Sequence, residues 1–203
     1  MQQFNGYDNA KKEAQTSNTG TLPVGGYVCK VLNVKYVQAP AEGKSSRIEL
    51  EFDIAEGEQE GFFQKKYEAD TSEDKKWKGK TNIWIPKDDG SDGDKFCKKI
   101  FASWTDCFEK SNNGYIWDWD ETKWKGKLIG IVFGKTGTII EGKPIVFVEP
   151  RFPLEVEKIR SGNVPVPQFK ARNGYTANSE SGAPMGDDEF MNVDPNKNEE
   201  LPF

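Results

Sequence analysis

Eight residues, Arg47–Ile54, alternate without a break: Ile48, Leu50, Phe52 and Ile54 fall on one parity, Arg47, Glu49, Glu51 and Asp53 on the other. Period two is the side-chain repeat of an extended strand. The segment can satisfy both sets only in a sheet with one face in the core and one in water, which is the habit of antiparallel sheets. The flanking segments must supply its partners.

Residues 27–38 are rich in Val, Tyr, Leu and Cys and read as a long first strand with room for a bulge. Residues 62–68 read as a third strand, and 81–86 as a further short strand or extended segment. A helix is expected at 95–110, with Asp94 as its N-cap. Phe96, Cys97, Ile100, Phe101, Trp104, Cys107 and Phe108 mark its apolar stripe, and Ser111-Asn112-Asn113-Gly114 stops it. A Trp-rich link at 115–127 leads to strands at 128–133, 138–140 and 144–149, with a turn at Gly134 and Gly137, a hairpin turn at 141–143 and an extended edge at 151–159. The order is strand, strand, strand, helix, strand, strand. A lone helix between the third and fourth strands is the order of the OB-fold, a five-stranded, partly open Greek-key barrel. The expectation is a mostly β chain: a flexible arm at 1–20, an OB-fold domain at 21–160 and a disordered tail at 161–203.

Pro165, Pro167, Pro184, Pro195 and Pro202 fall in that tail, with four glycines and many Asn and Ser. Such a composition buries too little apolar surface to offset its ordering entropy. The tail carries three basic and seven acidic side chains, whereas residues 1–160 carry 25 and 26. A net charge of −5 argues against a nucleic-acid partner, but its location removes the objection. The body is nearly neutral and can keep one face basic. Asp187, Asp188, Glu189, Glu199 and Glu200 precede a terminal Leu201-Pro202-Phe203. An acidic arm with an apolar tip reads either as a hook for a basic, hydrophobic pocket on a partner or as a solubilising tail.

The chain contains no histidine, which removes Ser-His-Asp and Cys-His catalysis and His-ligated zinc. Cys29, Cys97 and Cys107 lack metal or disulfide spacing, and Cys97 and Cys107 read as buried thiols on the helix. No Gly-rich phosphate loop occurs. The chain is therefore expected not to be an enzyme and to need no metal or cofactor. No apolar run approaches membrane-spanning length and the first 20 residues lack a signal-peptide core, so a cytoplasmic protein without membrane contact is expected.

Binding of single-stranded nucleic acid needs aromatic faces for bases and Lys or Arg for phosphates. Here the two interleave in three clusters: Phe62, Phe63, Lys65, Lys66 and Tyr67; Lys76, Trp77, Lys78, Lys80, Trp84 and Lys87; and Trp124, Lys125, Lys127 and Lys135. Lys76-Trp77-Lys78-Gly79-Lys80 is echoed by Lys123-Trp124-Lys125-Gly126-Lys127, each before an apolar strand. Trp77 and Trp124 read either as stacking platforms or as seals of the barrel end. Trp104, Phe52 and Phe147 are expected in the core. Trp117 and Trp119 flank Asp118 and precede Asp120, an acidic setting that repels phosphate, so they read as structural or as a subunit contact.

Tail and body together resemble single-stranded DNA-binding proteins of the phage-encoded kind. Bacterial members end in an acidic run closing on Asp-Ile-Pro-Phe or a close variant, and Glu200-Leu201-Pro202-Phe203 follows that pattern with Leu for Ile. From about Leu22 to Ile159, strand order and Lys–aromatic pattern are similar too. The resemblance implies a dimeric or tetrameric OB-fold protein that coats single-stranded DNA without sequence preference. It also implies a C-terminal tip that recruits replication, recombination and repair proteins, and a tail that competes with DNA for the groove. The first 20 residues, the charged loop at 70–80 and the long helix depart from the pattern. A β-rich carbohydrate-binding or structural phage module, with Trp stacked on sugars, is the alternative. A carboxylate-metal nuclease would need converging acids, and Glu49, Glu51 and Asp53 read more simply as a solvated strand face.

Overall fold

The alternating segment is strand β2 (Arg47–Ile54), with Ile48, Leu50, Phe52 and Ile54 buried. In this computed structural model, which describes residues 20–41 and 43–176, β2 is paired on both sides. β1 (Gly25–Val37) runs antiparallel to it, with a register shift between Val31 and Asn33 that marks the bulge of the long strand. β3 (Lys80–Trp84) pairs along its other side. β4 (Leu128–Ile140) joins β1, and β5 (Lys143–Leu154) joins β4, both antiparallel. The path β3-β2-β1-β4-β5 makes β3 and β5 the edges. Among the described residues no ladder joins them, so the protein is mostly β with an open sheet, and the barrel expected from the sequence is not closed. A two-residue strand, β6 (Lys170–Ala171), adds to β4 in parallel.

Among the described residues three α-helices accompany the sheet: α1 (Phe62–Ala69), α2 (Asp92–Ser111) and α3 (Val156–Arg160). The long α2 lies between β3 and β4, where the lone helix is expected. α1 corrects the sequence reading, in which 62–68 is a strand. Gly61, with φ 69°, turns the chain into the helix. The carboxylate of Asp53 on β2 then accepts the N–H groups of Phe63 (2.9 Å) and Gln64 (3.0 Å). Those donors are among the ones a helix start leaves unpaired. Asp53 is thus a helix cap and not a purely solvated side chain.

α2 begins earlier than expected. Its N-cap is Ser91, whose hydroxyl accepts the Asp94 N–H at 3.1 Å. Asp94 itself is buried, accepts the N–H groups of Asp88 and Gly90, and pairs with Lys98 at 2.9 Å. The buried face carries Phe101, Trp104, Cys107 and Phe108. Phe96 and Ile100, expected on that face, are exposed at the edge of a stripe broader than the packed surface. Cys107 and Cys29 are buried thiols, whereas Cys97, expected to be buried, is only half-buried. Asn112 closes the helix: its amide donates to the carbonyls of Phe108 and Leu128, both at 2.8 Å, tying α2 to β4.

The segments 128–133 and 138–140, which the sequence presents as two strands, are one continuous β4. Gly134 and Gly137 form no turn between them; they are sites of close approach instead. A Cβ at Gly134 would lie 2.9 Å from Pro167, and one at Gly137 2.5 Å from the Tyr175 ring. The occupant is a strap, residues 161–176, whose composition suggests a disordered tail. Tyr175 in it is only 6% exposed, and the Arg172 N–H donates to the Gly137 carbonyl at 2.9 Å. The folded body therefore continues past 160. The segment 151–159, expected as an extended edge, is the end of β5 followed by α3. Among the described residues no helix is long and apolar enough to cross a membrane.

Candidate nucleic-acid interface

The two sheet edges face each other across a cleft of about 890 Å³. β3 supplies one wall. Its outward parity places Lys80, Asn82 and Trp84 away from the core, while Ile83 points in. Trp84 is 49% exposed, and the guanidinium carbon of Arg47, its cross-strand neighbour, stands 5.9 Å from its ring centroid. An indole half open and half braced by a cation is preorganised to receive a flat ligand.

α1 supplies the floor. Phe62 and Phe63 are each 7% exposed and pack edge-on at 5.2 Å, with Phe63 further edge-on to Phe52 at 5.7 Å. Lys66, one turn on, lies 5.2 Å from the centre of the Phe62 ring. Lys78, just before β3, also lines this side.

β5 and the strap form the opposite wall, with Phe147, Glu149, Arg151, Lys170 and Arg172. Glu149 accepts from the Thr136 hydroxyl at 2.7 Å and from both terminal nitrogens of Arg172, at 2.8 and 3.2 Å. Arg151 pairs with the same carboxylate at 3.4 Å and donates to the Lys135 carbonyl. Burial pulls the Arg151 guanidinium below its ordinary pKa, while Glu149 opposes that shift.

Among the described residues, the cleft thus gathers six basic side chains, Lys66, Lys78, Lys80, Arg151, Lys170 and Arg172, against one carboxylate, Glu149. A predominance of positive charge in a concave site favours an anionic ligand there. Of the residues singled out from sequence, Phe62, Phe63, Lys66, Lys78, Lys80 and Trp84 line this cleft.

The others lie elsewhere. Trp124, 0% exposed, stacks on Phe108 at 4.4 Å and cannot reach a ligand. Trp77 is half-buried, and its indole N–H is spent on the carbonyls of Gly79 (2.9 Å) and Phe52 (3.2 Å), with Tyr67 beside it at 5.9 Å. Neither ring lines the cleft. Lys65 donates to the Glu60 carbonyl at 2.7 Å, and Lys87 to the Gly43 carbonyl at 2.5 Å. Lys127 lies over Tyr115 at 4.1 Å. Lys76, Lys125 and Lys135 are exposed outside the cleft. The tail residues Asp187, Asp188, Glu189, Glu199, Glu200, Leu201, Pro202 and Phe203 lie outside the described residues.

Sequence reasoning misses Phe147, Arg151, Lys170 and Arg172 as cleft residues, and Arg47 as the brace of Trp84. Phe147, expected in the core, is half-buried at the cleft wall. Trp117 packs against Trp124 at 4.9 Å, in line with a structural role, while Trp119 is 80% exposed over Phe101. On β2, Glu49 pairs with Arg47 at 2.6 Å and Glu51 accepts from Asn33 at 3.1 Å. Among the described residues no group of three or more acidic or Cys side chains is placed to hold a metal ion. No protein-family model matches the chain, and no curated protein is significantly similar to it.

Proposed function

We propose that the protein is a non-catalytic single-stranded DNA-binding protein that engages its ligand in the cleft between β3 and β5. The observation that carries this reading is the coincidence of six basic side chains with a half-exposed Trp84 in one concave site. Bases stacking on an aromatic face while Lys and Arg follow the phosphates is how single strands are bound without sequence preference. The path β3-β2-β1-β4-β5, with α2 between β3 and β4, supports a partly open OB-type barrel whose open seam is this cleft.

The role in phage or bacterial DNA replication, recombination and repair follows from the resemblance of the body, from about Leu22 to Ile159, and of the C-terminal tail to phage single-stranded DNA-binding proteins. So does recruitment of partner proteins by the acidic segment ending in Leu201-Pro202-Phe203, and so does assembly as a dimer or tetramer.

The direct test is titration with oligo(dT) at low and high salt, followed by tryptophan fluorescence. Quenching at low salt that weakens as salt is added is the expected result, because phosphate contacts release counterions. Absence of binding at low salt by fluorescence and by a second method would sink the reading. Deletion of 187–203 is expected to preserve or tighten DNA binding.

A further inference from the structure

The strap brings Lys170 and Arg172 to a cleft otherwise built from the sheet and α1. We infer that Arg172 and Lys170 form a phosphate-binding subsite on the β5 side of the cleft, and that Glu149 is the positioning residue that holds it in place. The inference rests on the reading of the cleft as a single-stranded DNA site.

The geometry starts from Glu149. Its side chain is 19% exposed, and it is held by the Thr136 hydroxyl, itself fully buried. From that anchored carboxylate a bidentate pair runs to Arg172, whose side chain is 42% exposed. A guanidinium has five N–H donors, and this pair uses two. The remainder stay available at a fixed angle, the preorganisation that favours Arg over Lys for phosphate.

The strap is held from three further points. The Arg172 N–H donates to the Gly137 carbonyl at 2.9 Å. Asn173 donates to the Thr138 hydroxyl at 3.2 Å, and Tyr175 covers Gly137. Lys170, two residues before Arg172, pairs in register with Thr136. One carboxylate therefore holds Arg172 of the strap, with Lys170 two residues before it on the same strap, and braces Arg151 in the wall. Across the cleft stand Trp84, Lys80 and Lys66. A strand whose bases meet Trp84 then has phosphates within the field of both walls.

A positioning role for Glu149 and simple electrostatics act with opposite sign on binding. Glu149→Gln removes a negative charge from a site for a polyanion, which by charge alone should tighten binding. If Glu149 positions the subsite, the variant instead weakens oligo(dT) binding by about tenfold. The slope of log K against log salt becomes shallower by about 1.4, the increment of two single-strand phosphates. Arg172→Lys keeps the charge but not the fork, sits on an exposed side chain, and should weaken binding severalfold with the fold intact by circular dichroism. In the free protein, Glu149→Gln should also speed trypsin cleavage after Arg172, read by mass spectrometry.

If both variants bind as tightly as wild type or tighter, with an unchanged salt slope, the subsite is overturned and the Glu149–Arg172 pair is only a structural tie. A wild-type protein that does not bind oligo(dT) at all overturns the reading of the cleft itself, which separates the two failures.

Discussion

Arg47 and Trp84 are direct cross-strand partners on β2 and β3, and the guanidinium carbon stands 5.9 Å from the indole centroid. Arg47 is itself held by Glu49 at 2.6 Å. These successive interactions fix the indole at the rim of the cleft without burying it. A fixed aromatic face loses little freedom when a base stacks on it, so the stacking should appear nearly in full in the binding free energy.

Trp84→Ala should therefore weaken oligo(dT) binding by about 1–3 kcal/mol, the worth of one base–aromatic stack. That is a loss of about fivefold to more than a hundredfold in affinity. Stability in urea should change little, because half of the residue is already in solvent. Unchanged affinity in a folded variant would remove Trp84 from the site.

Trp124→Ala should do the reverse. Its ring is fully buried, 4.4 Å from Phe108 and 4.9 Å from Trp117. Truncation leaves a large cavity and should cost about 3–5 kcal/mol of stability. Urea unfolding measures this, and the fraction that stays folded should bind oligo(dT) like wild type.

Trp77 and Trp124 show what the sequence could and could not convey. The Lys-Trp-Lys-Gly-Lys runs around Trp77 and Trp124 look like exposed basic patches. Lysine stems can leave a buried neighbour while their ammonium groups stay in water, so Lys context does not report the exposure of a Trp between them. β2 was legible because alternation is a local signal, and α2 because its stripe spans more than three turns. α1 was not, since the carboxylate that caps it lies ten residues upstream on β2. The β5 side of the cleft was hidden for a related reason. Lys170 and Arg172 sit in a Pro-rich, Gly-rich segment that looks disordered, and tertiary contacts seat it: packing on the glycines of β4 and hydrogen bonds to β4 and Glu149.

That seating predicts a graded response to adding one methyl group. A Cβ at Gly137 meets the Tyr175 ring at 2.5 Å, and the strap can shift to relieve it. A Cβ at Gly130 meets the Leu154 carbonyl oxygen at 2.4 Å, a backbone atom of its ladder partner on β5. Gly137→Ala should cost about 1–3 kcal/mol, the usual scale of overpacking. Gly130→Ala should cost more, because neither strand can yield without breaking the ladder. Thermal unfolding of the two variants side by side checks the order, and a milder Gly130→Ala would contradict the geometry.

Asp94 links stability to pH. The Lys98 ammonium beside it, and then the Asp88 and Gly90 N–H groups, hold its carboxyl below the ordinary carboxylate range. A depressed folded pKa stabilises above the unfolded value of about 3.9 and loses that contribution as pH falls through the folded pKa. Asp94→Asn should therefore be destabilised at neutral pH, and its deficit relative to wild type should shrink as the pH drops below about 4. Urea midpoints across that range give the test, and a deficit independent of pH would assign the loss to shape alone.

The placement of lysines yields the sharpest division between cleft and surface. Lys66, Lys78 and Lys80 line the cleft, whereas Lys76, Lys125 and Lys135 are exposed outside it. All six belong to Lys–aromatic clusters that look alike in the sequence. Replacing the first three by Ala together should reduce the steepness of the log K–log salt plot for oligo(dT) by about 2, one counterion-release increment of about 0.7 for each phosphate no longer neutralised. Replacing the second three removes the same net charge at a distance. Those ammonium groups do not line the cleft and neutralise no phosphate bound in it, so the slope should fall less than with the first three. Equal reductions in slope from both triple variants would mean that binding follows overall charge and not the cleft, and the β3–β5 site would have to be abandoned.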